Sequence, residues 1–313
     1  MRIGLDIMGS DHGPGVPTLG AVLAARELPA DVRVVLIGDP DSIHHTLKGE
    51  GADPAQFDIV PSRDDITMSD HPTKALQSKP HSSISIGFNL MKEGNIDAFA
   101  SNGNTGAMLV GSVFSVKPIP GVIRPCIPSI VPKEDGRYGV LLDVGANADC
   151  KPDVLEQFGL LGAMFAKHVF RIDEPKVGLL NIGEEEKKGD ILRQATYGLM
   201  KEQDKYKFVG NVEGRDLFNG KADVFVTDGF TGNVVLKAVE AFHEVMKKHG
   251  VTKDPFFDRF DYENYGGLPV LGVNGNVIIG HGISNAMTIK NMILFTRDVV
   301  NSKLNERIAE ALR

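Results

Sequence analysis

Residues 1–28, MRIGLDIMGSDHGPGVPTLGAVLAAREL, decide the reading of the fold. Ile3, Leu5 and Ile7 alternate as in a strand, the Gly13-Pro14-Gly15 break follows, and Val16 to Leu28 carries apolar residues at helical spacing. The chain therefore starts as strand, polar loop and helix. The same unit recurs. Val32 to Ile37, Phe57 to Val60, Ile96 to Ser101 and Val140 to Val144 are short apolar runs that give way to Gly, Asp, Ser or Asn and then to helix-compatible segments. Val177 to Ile182 and Val224 to Asp228 repeat the pattern. Such alternation predicts an α/β chain with a largely parallel sheet covered on both faces, its functional loops at the C-terminal ends of the strands.

Bulk composition narrows the function classes. The 313 residues are 42% hydrophobic and 24% charged, which is ordinary globular usage, and the formal net charge of −7 argues against broad nucleic-acid binding. Cys126 and Cys150 are the only cysteines, too few for a disulfide framework and without paired metal or redox spacing. A reducing cytoplasm fits them. No apolar run is long enough to span a bilayer, so the expectation is a cytoplasmic protein, neither exported nor embedded.

Polar, glycine-containing loops follow predicted strands at Gly9–Gly15 (GSDHGPG), Ser101–Ala107 (SNGNTGA), Asp143–Asp149 (DVGANAD) and Thr227–Asn233 (TDGFTGN). Glycine permits positive φ and close backbone approach, Asn and Thr offer neutral hydrogen bonds, and the next helix presents unpaired N–H groups, so such loops suit an anion. Taken singly, each is equally an ordinary β-α turn with its cap. No Gly-Lys-Ser/Thr follows any of them, and no G-x-G-x-x-G has an acidic strand-end partner, which disfavours a nucleotide site.

Asn181–Asp190 (NIGEEEKKGD) also follows a predicted strand. Its charges read either as a solvated turn or as a site in which a lysine meets phosphate and carboxylates orient it; a metal reading requires the Glu side chains to converge. His281, in GHGISN after the strand Val277–Ile279, is open between acid-base group, phosphate contact and structural residue. Cys150 lacks an activating electropositive setting and reads as a structural thiol.

Together GNTGA, DVGANADCKP, LLNIGEEEKKG, TDGFTGNV and YGGLPVLGV followed by GHG resemble the PlsX family of phosphate acyltransferases, in the family's order and over nearly the whole chain. The resemblance implies conversion of acyl-[acyl-carrier-protein] and phosphate to acyl-phosphate, in phospholipid synthesis, with neither cofactor nor metal. It implies a three-layer α/β/α sandwich similar to isocitrate and isopropylmalate dehydrogenases and to phosphotransacetylases, and a homodimer. One domain over residues 1–313 is expected, or two lobes around a cleft with the Pro-rich stretch Lys117–Pro132 as the crossing. The family's important lysine maps to Lys188 and its asparagine to Asn233, both expected to be catalytic. Asp11, Asn104, Thr105, Asp143, Asn147, Glu184, Asp228 and His281 are the expected substrate-binding residues. Three positions depart from the family pattern: Ser10 for a frequent glycine, Asn102 for alanine, and Gln77 for an arginine that Lys74 or Lys79 would have to replace.

Phosphate is already nucleophilic and a thiolate leaves readily, so positioning and charge stabilisation should dominate catalysis. Asn104, Thr105 and Asn147 are expected to hold phosphate, Lys188 to offset its charge, and Asn233 to donate to the oxyanion. An acidic carrier protein needs a local basic patch. Residues 237–265 form a candidate helical hairpin in which Lys247, Lys248, Lys253 and Arg259 accompany Phe256, Phe257 and Phe260. That segment is read as a contact with the carrier or an anionic membrane, or as aromatic packing in a dimer.

Overall fold

The computed structural model describes residues 1–251 and 254–313; Lys253, one of the basic residues named above, lies outside them. Two compact units are present, Met1–Pro118 with Tyr262–Asn301 and Ile119–Asp261 with Ser302–Arg313. The first begins with β1 (Arg2–Asp6), α1 (Gly15–Ala25), β2 (Arg33–Gly38), α2 (Pro40–Gly49), β3 (Phe57–Pro61), α3 (Pro72–Ser78), α4 (Ser83–Lys92), β4 (Ala98–Ser101) and α5 (Thr105–Gly111). The second contributes β5 (Pro128–Pro132), β6 (Tyr138–Leu142), α6 (Pro152–His168), β7 (Lys176–Leu180), α7 (Ile191–Glu202), β8 (Lys207–Val212), β9 (Val224–Val226), α8 (Gly229–Lys248) and α9 (Pro255–Asp258). The chain then returns to the first unit as β10 (Leu268–Pro269), β11 (Asn276–Ile279) and α10 (Ala286–Asn301), and ends in the second as α11 (Leu304–Ala311).

The class is the α/β/α layering expected from the sequence, but the single expected sheet is two sheets. The first unit's strands lie in the order β10-β11-β4-β1-β2-β3, parallel except where β10 meets β11. In the second unit the order is β5-β6-β9-β7-β8, parallel except where β5 meets β6. Alternating strand and helix signals look the same in one sheet or two, because strand pairing is non-local. The antiparallel β5 lies inside the stretch read as an inter-lobe crossing. Its terminal prolines, Pro128 and Pro132, lack N–H donors and are tolerated because the strand is an edge.

Strand order positions the loops. In the first sheet β1 leads to β2 on one side while the later β4 is laid on the other, so winding reverses between β1 and β4. A crevice outside the strand ends at such a reversal is the usual ligand position in α/β sheets. In the second sheet β9, the last strand in sequence, inserts between β6 and β7. Strands about 4.8 Å apart then bring the loops after β6, β9 and β7 side by side.

Both units have apolar interiors. Ile3, Leu5, Ile37 and Phe99 are fully buried in the first, where Phe88 meets Phe99 edge to face at 5.2 Å. In the second, Val131, Leu141, Val212, Leu217 and Phe225 form one cluster. Lys133 is also fully buried there and donates to Asp223 Oδ1 at 2.8 Å and to the Ala222 carbonyl. Among the described residues no helix is long and apolar enough to cross a membrane.

Candidate active site

Each unit gathers its own set of strand-end loops. In the first, the loop after β1 meets the loop after β11 through the Asp11 N–H, which donates to the Gly282 carbonyl at 2.9 Å. Asn102 donates from Nδ2 to the His281 carbonyl at 2.9 Å, so this departure from the family pattern ties the loop after β4 to the loop after β11. Ser10, the second departure, caps its own turn by accepting from the His12 N–H at 3.2 Å. Asp11 and His281 are exposed, and the His281 ring lies edge to face with Tyr262 at 5.0 Å.

Asn104 and Thr105 occupy the same loop in different ways. Asn104 accepts the Ala107 N–H at 2.9 Å as the cap of α5, while its Nδ2 donates to the Thr67 and Asp70 carbonyls at 2.9 and 3.0 Å. Its amide is thus engaged in the loop framework. Thr105 is exposed on the first turn. Lys79, one of the two cations expected to stand in for the missing arginine, is held by Asp70 at 2.6 Å and the Asp65 carbonyl at 2.9 Å. That leaves Lys74, which is exposed.

Asp6 and Ser101, at the ends of β1 and β4, are not among the site residues expected from the sequence. Asp6 is fully buried, accepts Ser101 Oγ–H at 2.6 Å and the Met8 N–H at 2.9 Å, and has its carboxyl pushed above the ordinary range by burial. A folded-state value above the unfolded one means that the native state binds this proton more tightly. Its contribution to stability is therefore present below the unfolded value of 3.8 and is lost as pH rises through the folded value. Asp6→Asn should remove that decline. Urea midpoints across the acid range check it, and parallel pH profiles for the two proteins would exclude Asp6 as the source.

In the second unit Asp143 organises the loop after β6. Its carboxylate is buried and accepts N–H groups of Ile127 at 3.0 Å, Ala146 at 3.2 Å and Asn147 at 2.6 Å. Burial raises its proton affinity and these donors oppose the rise. Asn147 uses both Nδ2 hydrogens within the loop, on the Pro125 carbonyl at 2.8 Å and on Asp143 at 3.0 Å. Two contacts join this loop to the one after β9. The Asn147 carbonyl accepts the Gly229 N–H at 2.7 Å, and Asn233 Nδ2 donates to the Val144 carbonyl at 3.0 Å. Gly232 is required for the approach, since a Cβ there would collide with the Asp143 carbonyl oxygen.

Asp228 caps α8 through the Thr231 N–H at 2.8 Å. Its other partner is Arg193 on α7, a residue the sequence reading passed over. Arg193 pairs with Asp228, reaches Asp190 at 2.9 Å, and donates to the Thr227 and Thr231 hydroxyls at 3.2 and 3.1 Å. One partly buried guanidinium thus fastens the loop after β9 to the end of the loop after β7. The fork geometry of Arg suits such multiple donation.

The loop after β7 is held from below. Asn181 Nδ2 donates to the Lys188 carbonyl at 3.1 Å and Asn211 Nδ2 to the Glu185 carbonyl at 2.8 Å. The three carboxylates diverge: Glu184 turns to Lys221 at 2.8 Å, Glu185 to Lys188, and Glu186 to Lys201 at 3.0 Å. Convergence, which a metal reading needs, does not occur among them. Lys188 has a side chain 50% exposed, and its Nζ stands 3.9 Å from Glu185. Cys150 borders the same loops, where burial with Asp143 and Asp228 pushes its thiol up to about 11. The neutral thiol is a poor nucleophile.

At the far end of α8, Lys247 reaches Asp261 at 3.4 Å and Lys248 is exposed. Phe256 and Phe257 are half-buried, their rings 5.5 Å apart, and Phe256 lies 5.3 Å from Phe260, itself against Phe218. Arg259 stacks over Tyr138 at 4.3 Å and donates to the Lys133 and Arg137 carbonyls.

Residues 1–307 match the family described as fatty acid synthesis protein. The phosphate acyltransferase of Dictyoglomus thermophilum is 40% identical, covering 100% of this chain and 98% of that protein, and that of Pelotomaculum thermopropionicum is 42% identical over 100% and 95%. Among solved structures, a phosphotransacetylase from Streptococcus pyogenes superposes with a TM-score of 0.68 at 18% identity, covering 96% of this chain and 94% of that one. A branched-chain phosphotransacylase from Enterococcus faecalis gives 0.65 at 14% identity, with 96% and 99% covered. At those identities the structures attest the shared α/β fold, whereas the sequence matches span both chains almost completely. The chain belongs to the PlsX, or phosphate acyltransferase, family.

Proposed function

We propose that this protein transfers a fatty acyl group from the thioester of an acyl carrier protein to inorganic phosphate, as a step of phospholipid synthesis. A phosphate oxygen attacks the thioester carbonyl carbon, the new C–O bond forms, the C–S bond breaks, and the electron pair leaves with sulfur. The products are acyl phosphate and the carrier thiol, which recovers a proton from solvent. The observation that carries this reading is Lys188. It stands on the loop after β7, next to the β9 loop and one strand further from the β6 loop, and its ammonium is only loosely met by Glu185. A point charge so placed can meet phosphate and the charge that develops on it.

The framework contacts revise the roles of the asparagines. Asn104 and Asn147, expected to hold phosphate, have their amide hydrogens committed to carbonyls of Thr67, Asp70 and Pro125 and to Asp143, and act here as positioning residues. Asn233 retains a donor: one Nδ2 hydrogen goes to Val144 and the other is available to a carbonyl oxygen turning anionic. Asn233→Ala is expected to lower the transfer rate by about 10²-fold, the usual effect of removing one oxyanion donor. The rate of thiol release with saturating phosphate checks this, and an undiminished rate would eliminate the oxyanion role. On the same reading Asp11, Thr105, Glu184 and His281 contact substrates, and Asp143 and Asp228 hold the loops.

The donor is distinguished from coenzyme A by direct competition. Incubation with phosphate and either thioester, following thiol and acyl phosphate together, should favour the carrier protein; preference for coenzyme A would move the activity to a phosphotransacylase. The exposed Lys248 and the end of α8 offer a docking point for an acidic carrier in the cytoplasm, or for peripheral contact with anionic lipid. Packing of Phe256 and Phe257 against Phe260 favours a structural role for those rings over a full membrane anchor. A homodimer is the proposed assembly.

A further inference from the structure

The first unit holds a cavity of about 400 Å³ between α3, α4, α5 and the π-helical turn Ser112–Val116. We infer that it seats the acyl chain of the substrate, an inference that rests on the acyl-transfer reading above. None of its lining residues carries a charge. No cation lines it to offset the charge of phosphate, a nucleotide or an acidic protein segment, whereas a neutral aliphatic chain needs no such offset. Leu76, Phe88, Val110 and Phe114 supply apolar walls, and the volume lies within the range of small-molecule sites. Gln77, where the family often carries arginine, lines the same cavity and keeps it neutral.

Placement joins the cavity to the loop cluster of its own unit. Helix α5 begins at Thr105, beside Asn104, and ends at Val110 and Gly111 on the cavity wall. Its residues rise by about 1.5 Å each, so roughly 10 Å separates the loop from the cavity. Helix α3 runs alongside: Pro72, at its start, would stand 2.5 Å from a Cβ on Gly106. The cavity thus lies about one short helix's length, roughly 10 Å, from the Asn104–Thr105 loop, with neutral polar residues such as Thr73, Gln77 and Asn89 among its apolar walls. Gly111 lets the Phe88 ring form one of those walls, because any side chain at 111 would collide with it.

Phe114 marks the entrance. It lines the cavity yet is 72% exposed, an apolar ring left in water by the rest of the fold. An aliphatic chain in the cavity would cover it and remove apolar surface from solvent on both partners. π-helical turns of this kind are frequent at functional sites.

The test fills the cavity and opens its mouth. Val110→Phe adds bulk to a half-buried wall, and Phe114→Ser removes an exposed ring without touching the core. Turnover is measured with butanoyl and hexadecanoyl thioesters of the carrier, and dodecanoate binding is measured by calorimetry on the same proteins. Val110→Phe should slow the hexadecanoyl donor about tenfold or more relative to the butanoyl donor, and Phe114→Ser should weaken dodecanoate binding about tenfold. An unchanged length profile in both variants, or equal slowing of both donors, overturns the cavity assignment while leaving acyl transfer intact. No turnover by the unmodified protein, with dodecanoate binding that Val110→Phe abolishes, would instead overturn the transfer reading and keep the chain site. Absence of both overturns both.

Discussion

Replacing Lys188 by alanine should lower the rate of acyl transfer to phosphate by about 10²–10³-fold and leave thermal unfolding where it was. The two halves of this expectation have separate causes. The side chain is half exposed and its carboxylate neighbour is 3.9 Å away, a geometry in which ion pairs contribute little to stability. Its loop is held instead by Asn181 and Asn211 through backbone carbonyls, which the substitution does not touch. On the proposed mechanism, what disappears is the cation that offsets the developing charge. Initial rates at saturating thioester, with unfolding followed by calorimetry on the same samples, check both halves. Equal turnover would remove the lysine from the chemistry, and a lower melting temperature would make it part of the scaffold.

The largest loss of stability is expected at Lys133. Its ammonium is fully buried with Asp223, whose other oxygen accepts the Lys176 N–H at 3.0 Å. Removing the cation in Lys133→Ala leaves a buried carboxylate whose nearest remaining charge, Arg137, is 3.4 Å away and 46% exposed. Breaking a buried pair on one side costs about 3–5 kcal/mol. A matching fall in the urea midpoint, with the slope unchanged, is the expected record. A loss under about 1 kcal/mol, the range of surface pairs, would mean that Arg137 alone suffices.

Local order was legible where pattern and chemistry coincide. β1, β2, β3, β6 and β7 are dense apolar runs with a turn signal at the end, and the loops after β4, β6 and β9 announce themselves by Gly, Asn and Asp. β8 was not seen, because KFVGNV is broken by Gly210 and Asn211, and β10 is only the pair Leu268–Pro269. Division into two sheets was equally hidden, since it depends on which distant strands pair. Within the site, sequence could name the loop asparagines but not their hydrogen-bond partners, so Asn104 and Asn147 looked like ligand contacts. Arg193 carried no signal at all. An arginine in the first turn of a polar helix is common, and only the fold reveals that it reaches Asp228.

The discontinuous first unit has a consequence for synthesis on the ribosome. Its β4 pairs with β11, and α1 packs on α10, yet some 170 residues of chain separate β4 from β11. Until residues 276–301 emerge, β4 has an open edge and α1 a bare apolar face, while the second unit still awaits its final helix. The nascent chain must therefore carry two unfinished bodies at once until residues 276–311 have been made, a window in which holdase chaperones have apolar surface to grip.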